Sequence, residues 1–344
     1  MVYIPVQELL TLQAYFLTMH IPFKNIVIVG AGAIGTALGQ ALSPDEGIGV
    51  QLLSIEQDVV ESINLSRTNN KYFPGFKLNR NLKASIDPSI LHQAQVVFLA
   101  IPSYAVVDFV KTNSQLLLPD TVLVNMAKGF SPDNLTIAET LAKQVPFEVC
   151  TMKGPTFARE LINGSPTAFT IGAKSKDTYD RFALLFEDTI VYTDYSKDIR
   201  GVELLSILKN IYAIALGIVD AQFNSANLRF LFLTRAFNEM RAILLQFGGR
   251  KPTMFKYCGF GDFGLTSLND LSRNRTLGLL IGKGFFNEQI SEKVVLEGKI
   301  AVNIFHDQIR KRNSQFLYPI ISELHKVFNQ PYEVQNFIRN ILKK

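Results

Sequence analysis

The chain has 344 residues and a formal charge of +5, with 47% hydrophobic and 19% charged residues. This length exceeds one typical domain and suits two, and the composition excludes intrinsic disorder. Two cysteines, Cys150 and Cys258, exclude a disulfide framework and a thiolate-rich metal site, so we expect no metal, a reducing cytoplasm and two inert packing thiols. The 35 Lys and Arg residues are scattered, which argues against nucleic acid and suits a small anionic substrate.

Residues 1–23 contain no Lys or Arg and so lack the charged start of a secretory signal. They read as an N-terminal extension with a packing role; a dimer element or a membrane-surface contact are the other readings. Ile26 to Leu42 is the most membrane-like run, but Gly30, Gly32, Gly35 and Gly39 interrupt it and it falls short of the ~20 residues of a spanning helix, so no integral membrane segment is expected. From Lys24 the pattern alternates short β-branched runs with helix-like segments, as in a parallel sheet with crossover helices. The strands expected are Asn25 to Val29, Gly49 to Ile55, Val96 to Ile101, Thr121 to Met126, Phe147 to Met152, Ala168 to Ile171 and Ile190 to Tyr192, each apolar enough for burial on both faces. After Arg200 the spacing becomes helical, in Gly201 to Ala221, Leu228 to Phe247 and Val294 to Asn303. The expected fold is therefore an α/β, doubly wound, Rossmann-like domain over 24–200 followed by an all-helical domain over 201–344. No linker separates them, which implies a packed interface with the active site between. Three cations near the C-terminus, Arg339, Lys343 and Lys344, read as a solvated helix end.

Gly30-Ala31-Gly32-Ala33-Ile34-Gly35 follows an apolar run and precedes the helix-compatible Thr36 to Leu42, the context of a dinucleotide fingerprint. The glycines permit a tight turn and let backbone amides approach a pyrophosphate at a helix N-terminus. A glycine-rich loop that only packs strand on helix is the plainer reading. Glu56 ends the next strand, where a carboxylate accepts from the adenosine ribose. An acidic residue there repels the extra phosphate of NADP and Ile55 offers no compensating cation, which favours NAD while leaving NADP open.

Gly201 to Ala221 places Leu204, Leu208, Ile211 and Ala215 on one stripe and apolar residues elsewhere, so the helix is largely buried and Lys209 with it. Burial lowers a lysine's pKa toward the range useful for proton transfer. Alternatively its stem lies on apolar surface and its ammonium reaches water. Downstream, the stretch from Gly259 to Ser267 and then Ser272-Arg273-Asn274-Arg275 collect small residues, a carboxylate, hydroxyls and guanidinium groups. Such a set suits an anion, with Arg273 gripping phosphate in a bidentate manner, or else forms a solvated polar loop.

Taken in order, GAGAIGTAL at Gly30, NNKYFPG at Asn69, AIPSYA at Ala100, AKGF at Ala127, GPTFARE at Gly154, ELLSILKNIYAIALGI at Glu203, LTRAFNEM at Leu233, GFGDFGLTSLNDLSRNR at Gly259 and LEG at Leu296 make the chain resemble the bacterial-type NAD(P)-dependent glycerol-3-phosphate dehydrogenases over about residues 25 to 330. The resemblance implies a cytoplasmic dimer of phospholipid precursor metabolism, with a nucleotide-binding domain followed by a helical substrate domain. It implies that Lys209 is the proton donor and acceptor while hydride passes between nicotinamide and C2 of dihydroxyacetone phosphate. Lys128 and Asp262 join it in catalysis, and Lys128, Gly154, Thr156, Asp262, Ser272, Arg273 and Asn274 are the implied substrate contacts. Ala33, Ile34, Lys128, Ala158, Arg273, Val295 and Glu297 are the implied cofactor contacts, beside Gly30, Gly32, Gly35 and Glu56.

Several positions depart from the family pattern. Ala33-Ile34 replaces a serine and a bulky aromatic, Tyr104 a histidine, Ala226 an acidic residue and Ala236 a glycine. Two other readings follow: a divergent paralogue acting on another small anionic substrate, and a non-catalytic NAD-binding regulator. A hydroxy-acid dehydrogenase using histidine fits less well, because His20, His92, His306 and His325 fall outside every motif.

Overall fold

The computed structural model describes residues 23–285, 292–312 and 317–342, with the side chains of 292–296 left out. The extension as far as Pro22, and Lys343 and Lys344 at the other end, lie outside the described residues.

Among the described residues there are eight strands, most of them formed by short apolar runs: β1 (Asn25–Val29), β2 (Gly49–Leu53), β3 (Lys83–Ser85), β4 (Val96–Leu99), β5 (Val122–Asn125), β6 (Glu148–Lys153), β7 (Thr167–Gly172) and β8 (Val191–Ser196). They make one sheet in the order β3-β2-β1-β4-β5-β6-β7-β8. Every residue of β4 and β5 is buried, as strands covered on both faces must be. Each Val, Leu or Phe side chain removed from water in these strands contributes about 1.5–3 kcal/mol. Covering the sheet are α1 (Ala33–Leu42), α2 (Gln57–Glu61), α3 (Ser103–Asn113), α4 (Ile137–Gln144), α5 (Ala158–Ile162) and α6 (Lys176–Phe186). Phe23 is fully buried on this core, its ring 4.9 Å from that of Phe182.

The sheet corrects the expectation of a wholly parallel one. β6 and β7 run antiparallel, and β8, at the edge, is mostly half-exposed rather than buried on both faces. The strand β3 is an addition; its three residues, Lys-Ala-Ser, carry no apolar run to announce it. Strand order reverses between β1 and β4, and the crevice beyond the carboxyl ends at such a switch point is where open α/β sheets take ligands.

The remainder is helical: α7 (Ile199–Gln222), α8 (Ala226–Gln246), α9 (Asp262–Leu268), α10 (Arg273–Gly282), α11 (Glu292–Lys311), α12 (Pro319–Asn329) and α13 (Asn336–Leu342). The Asp198 side chain caps α7 by accepting from Gly201 N at 2.9 Å, and its other oxygen accepts from Arg250 N and Thr253 Oγ1. Among the described residues α7, rather than the Ile26 to Leu42 run, is the helix long and apolar enough to span a membrane, and 94% of its apolar window is buried inside the protein. Its burial comes partly from α10. A Cβ on Gly217 would lie 2.3 Å from Arg275 O and one on Gly278 2.0 Å from Ile214 O, so these glycines let the two backbones touch. That contact fixes the start of α10, which carries Ser272 to Asn274, relative to the helix that carries Lys209.

Candidate active site

At the cofactor end, β1 stops at Val29, the chain turns through Gly30 to Gly32, and α1 starts at Ala33, three residues earlier than the sequence pattern suggests. The glycines divide their work. A Cβ on Gly35 would fall 1.9 Å from Gly30 O, so Gly35 makes the turn, whereas a Cβ on Gly32 would meet nothing within 4 Å. Gly32 therefore leaves open space in front of the α1 N-terminus, where backbone N–H groups suit an anion. Asn69 braces the loop, its Nδ2 donating to Ala31 O and Thr36 Oγ1 at 2.9 Å each. Ala33 and Ile34, in the first turn of α1, and Ala158, which opens α5, pack on the same core, with α5 against α1.

Glu56 stands at the N-cap position of α2, where its side chain makes no capping bond, and it is not solitary. It pairs with Lys71 and accepts from Tyr72 Oη at 3.3 Å. Lys71 thus supplies the cation that Ile55 does not, and the electrostatic reason for preferring NAD weakens. Lys71 is exposed and Glu56 partly so, and solvent screening leaves the pair weak and ready to exchange partners.

At the other end the charges are buried. Lys209 is 2% exposed and Asp262, the first residue of α9, is 0% exposed. Lys209 Nζ donates to Asp262 Oδ1 at 2.5 Å and to Thr266 Oγ1 at 3.0 Å. Asp262 and Thr266 stand one helical turn apart, which brings both to the face toward α7. Burial holds the Lys209 ammonium well below the ordinary lysine range; Asp262 opposes the shift and Lys128, half-buried after β5, adds to it by repulsion. The ammonium is enclosed, which rules out the reading in which it reaches water. Asp262 Oδ2 is buried without a hydrogen-bond partner among the described residues, an acceptor left for something else.

Ser272 caps α10 by accepting from Arg275 N at 3.3 Å. Arg273 is exposed and makes no ion pair among the described residues, while Asn274 is half-buried. The other arginine of the motif, Arg275, is structural: it is buried and pairs with Asp220 at 2.7 Å and with Asp270. Glu297 on α11 keeps an exposed surface; partial desolvation raises its carboxyl, and the charge of Arg273 opposes that rise. The side chain of Val295 is among those left out of the description. Gly154 is required by packing, since a Cβ there would lie 2.2 Å from Ala168 O. The Thr156 hydroxyl is shared with Thr167 Oγ1 at 2.6 Å and so turns toward β7 rather than toward Lys209.

Four residues beyond those expected join the buried end. Thr266 holds Lys209, and Lys153, Asn125 and Glu203 form a network beneath it. Lys153 is 1% exposed and its Nζ donates to Asn125 O at 2.7 Å. Asn125 Nδ2 donates to Glu203 Oε1, and Glu203 Oε2 accepts from Ala138 N at 3.0 Å. A charged residue closing the apolar strand before Gly154-Pro155 is the signal that exposes Lys153, by the reasoning that singles out Lys209.

Two family models match the chain: the N-terminus of NAD-dependent glycerol-3-phosphate dehydrogenase over residues 25–179 and its C-terminus over 198–339. Among curated proteins, a glycerol-3-phosphate dehydrogenase, NAD(P)+, of Methanothermobacter thermautotrophicus is 34% identical over 322 residues, 93% of this chain and 98% of that one. One of Syntrophotalea carbinolica is 33% identical over 328 residues, with 93% and 98% covered. The crystal structure of the Coxiella burnetii glycerol-3-phosphate dehydrogenase is similar with a TM-score of 0.85 at 27% identity, over 94% of this chain and 100% of that one.

Proposed function

The chain belongs to the NAD-dependent glycerol-3-phosphate dehydrogenase family, and from that premise we propose that it interconverts sn-glycerol 3-phosphate and dihydroxyacetone phosphate with NAD or NADP. The observation that carries this reading is the enclosed Lys209, held by Asp262 and Thr266 and faced by Lys128. When bound, the nicotinamide supplies or accepts a hydride at C2 of the substrate.

Lys209 does the proton work. As the carbonyl of dihydroxyacetone phosphate becomes an alkoxide, the ammonium gives its proton to that oxygen, and in the reverse direction the amine takes the proton back. A lysine that stayed at its ordinary pKa of about 10.4 would be a poor base near neutrality; burial and Lys128 make the amine accessible. Asp262 keeps Nζ aimed and offers Oδ2 to the substrate's free hydroxyl. Arg273, Asn274, Ser272 and Lys128 would hold the phosphate, with the Gly154–Thr156 turn beneath the substrate. Gly30, Gly32, Ala33, Ile34 and Gly35 would hold the cofactor pyrophosphate, Glu56 its ribose, and Ala158, Lys128, Arg273, Val295 and Glu297 its nicotinamide half. The division at 24–200 and 201–344 is the corresponding split into cofactor and substrate domains. The same reading makes the enzyme a cytoplasmic homodimer serving phospholipid precursor synthesis, and exposed Phe230, Phe255 and Phe260 offer apolar surface for pairing.

The test is NADH and NADPH oxidation by the purified chain with dihydroxyacetone phosphate, beside a panel of other small phosphorylated and carboxylated ketones. Turnover preferring dihydroxyacetone phosphate is expected; turnover confined to another ketone, or none with any, overturns the assignment.

A further inference from the structure

Three lysines and two carboxylates converge where β5 and β6 end against α7 and α9: Lys128, Lys153 and Lys209 with Glu203 and Asp262. The proton transfer uses Lys209, Lys128 and Asp262 and leaves Lys153 without a task. Yet Lys153 is enclosed to 1% exposure, and its ammonium donates to a neutral carbonyl, Asn125 O, at 2.7 Å and to no carboxylate among the described residues. A lysine ammonium has three donors, and burying it is costly unless neighbouring charge compensates. The residue its ammonium grips is also significant. Asn125 is the last residue of β5, its Oδ1 accepts from Ala127 N at 3.0 Å, and the next residue is Lys128. Through Glu203 the same asparagine is tied to α7, on which Lys209 lies six residues further along.

Resting on the function proposed above, we infer that Lys153 is a positioning residue for the reaction: it seats the Asn125–Lys128 segment and shares the charge of Asp262 and Glu203, leaving Lys209 able to release its proton. The charged and titratable groups facing Lys153 are Glu203 on α7, Lys128 after β5, Asp262 on α9 and Cys258 just before it. Glu203 and Asp262 draw its proton in, while burial and Lys128 drive it out, to a pKa of about 7. With Lys153 neutral or removed, Asp262 turns its whole charge on Lys209 and binds the ammonium more firmly. No bond is made or broken at Lys153, and it touches no reacting atom.

The experiment is the pH dependence of kcat/KM for dihydroxyacetone phosphate reduction by the full chain. Reduction needs Lys209 protonated, so the rate falls on the alkaline side of its titration. In Lys153→Met the midpoint of that fall should move up by about one pH unit. Lys153→Gln, which keeps a donor for Asn125 O without the charge, should show the same shift with a smaller loss of kcat. A midpoint that stays in place in a folded variant overturns the inference, as does a shift in Lys153→Met that Lys153→Gln lacks, which would assign the effect to the hydrogen bond alone. If neither variant folds, or the wild type proves inactive with dihydroxyacetone phosphate, lysine-selective 13C NMR of the wild type decides. Lys153 and Lys209 should titrate interdependently, and independent titrations overturn the inference. Failure of the functional reading is seen separately, as absent turnover in the wild type.

Discussion

The two ends of the proposed site solve opposite electrostatic problems. The cofactor end, from Gly30 to Gly35 with Glu56 and Lys71, offers backbone groups, open space and a half-exposed ion pair. The proton-transfer end, Lys209 with Asp262, Thr266, Lys128 and Lys153, offers side-chain charges shut away from water. Screening by solvent makes each charge at the first end weak and exchangeable, whereas in the second each charge sets the protonation of its neighbours. A substitution at the cofactor end should therefore tune affinity and selectivity. One at the buried end should change the chemistry or the stability of the fold.

The largest effect is expected at Lys209. Lys209→Met should lose roughly 10² to 10⁴ in kcat in the folded variant, with NADH binding retained, as read by steady-state kinetics and fluorescence titration. Turnover within tenfold of the wild type would erase the distinction between the ends. Next is Asp262→Asn, which leaves the Lys209 ammonium buried without its carboxylate. We expect a loss of about 3–5 kcal/mol in denaturant unfolding and a kcat/KM profile displaced to lower pH, since Asp262 is the group that raises Lys209.

Lys153 gives a prediction whose sign is unusual. Its folded pKa, about 7, lies below the unfolded value, so between pH 7 and about 10 the unfolded chain binds the more protons and stability rises with pH. The burden is greatest below pH 7, where the buried ammonium is charged in both states. Lys153→Met should therefore gain stability on the wild type at pH 6, by a few kcal/mol, and lose most of that gain by pH 10. Melting curves at both pH values check this, and a difference that does not depend on pH contradicts it.

The smaller effects belong to the cofactor end. Gly32→Ala should keep its melting temperature, because its Cβ meets nothing, and weaken NADH binding about tenfold by filling the space before α1; Gly35→Ala should fail to fold natively. Lys71→Met should raise KM for NADPH about fivefold and leave KM for NADH within twofold, a difference that shrinks in high salt. If Lys71→Met instead changed both cofactors equally, the pair with Glu56 would be a brace for the loop and not a discriminator.

How legible each end was follows from the same contrast. β1, β4 and β5 stand out as apolar runs because both of their faces are covered, and α7 does so because it is apolar all round. Lys209 is conspicuous as a charge inside such a run. The partners that give it its properties are not, since Thr266 and Glu203 are ordinary polar residues on helices until the fold brings them together. Lys153 carried the same signal as Lys209 on a shorter strand, where a terminal lysine also reads as a solvated end. The antiparallel turn from β6 to β7 leaves no trace in composition, because strand direction is decided by the connection rather than by the residues. Lys71 lies 15 residues beyond Glu56, and only the loop that carries it back makes the pair.

The glycine contact between α7 and α10 has a mechanical consequence. With backbones touching at Gly217 and Gly278, Lys209, the proposed proton donor, and Ser272–Asn274, the proposed phosphate grip, ride on one block, while the Gly30–Gly35 turn and Lys128 ride on the sheet. The distance from Lys209 to Ser272–Asn274 is thus set inside the helical half of the molecule and does not depend on how the sheet is placed. On the proposed function, that block is a gauge set to the length of a three-carbon phosphate.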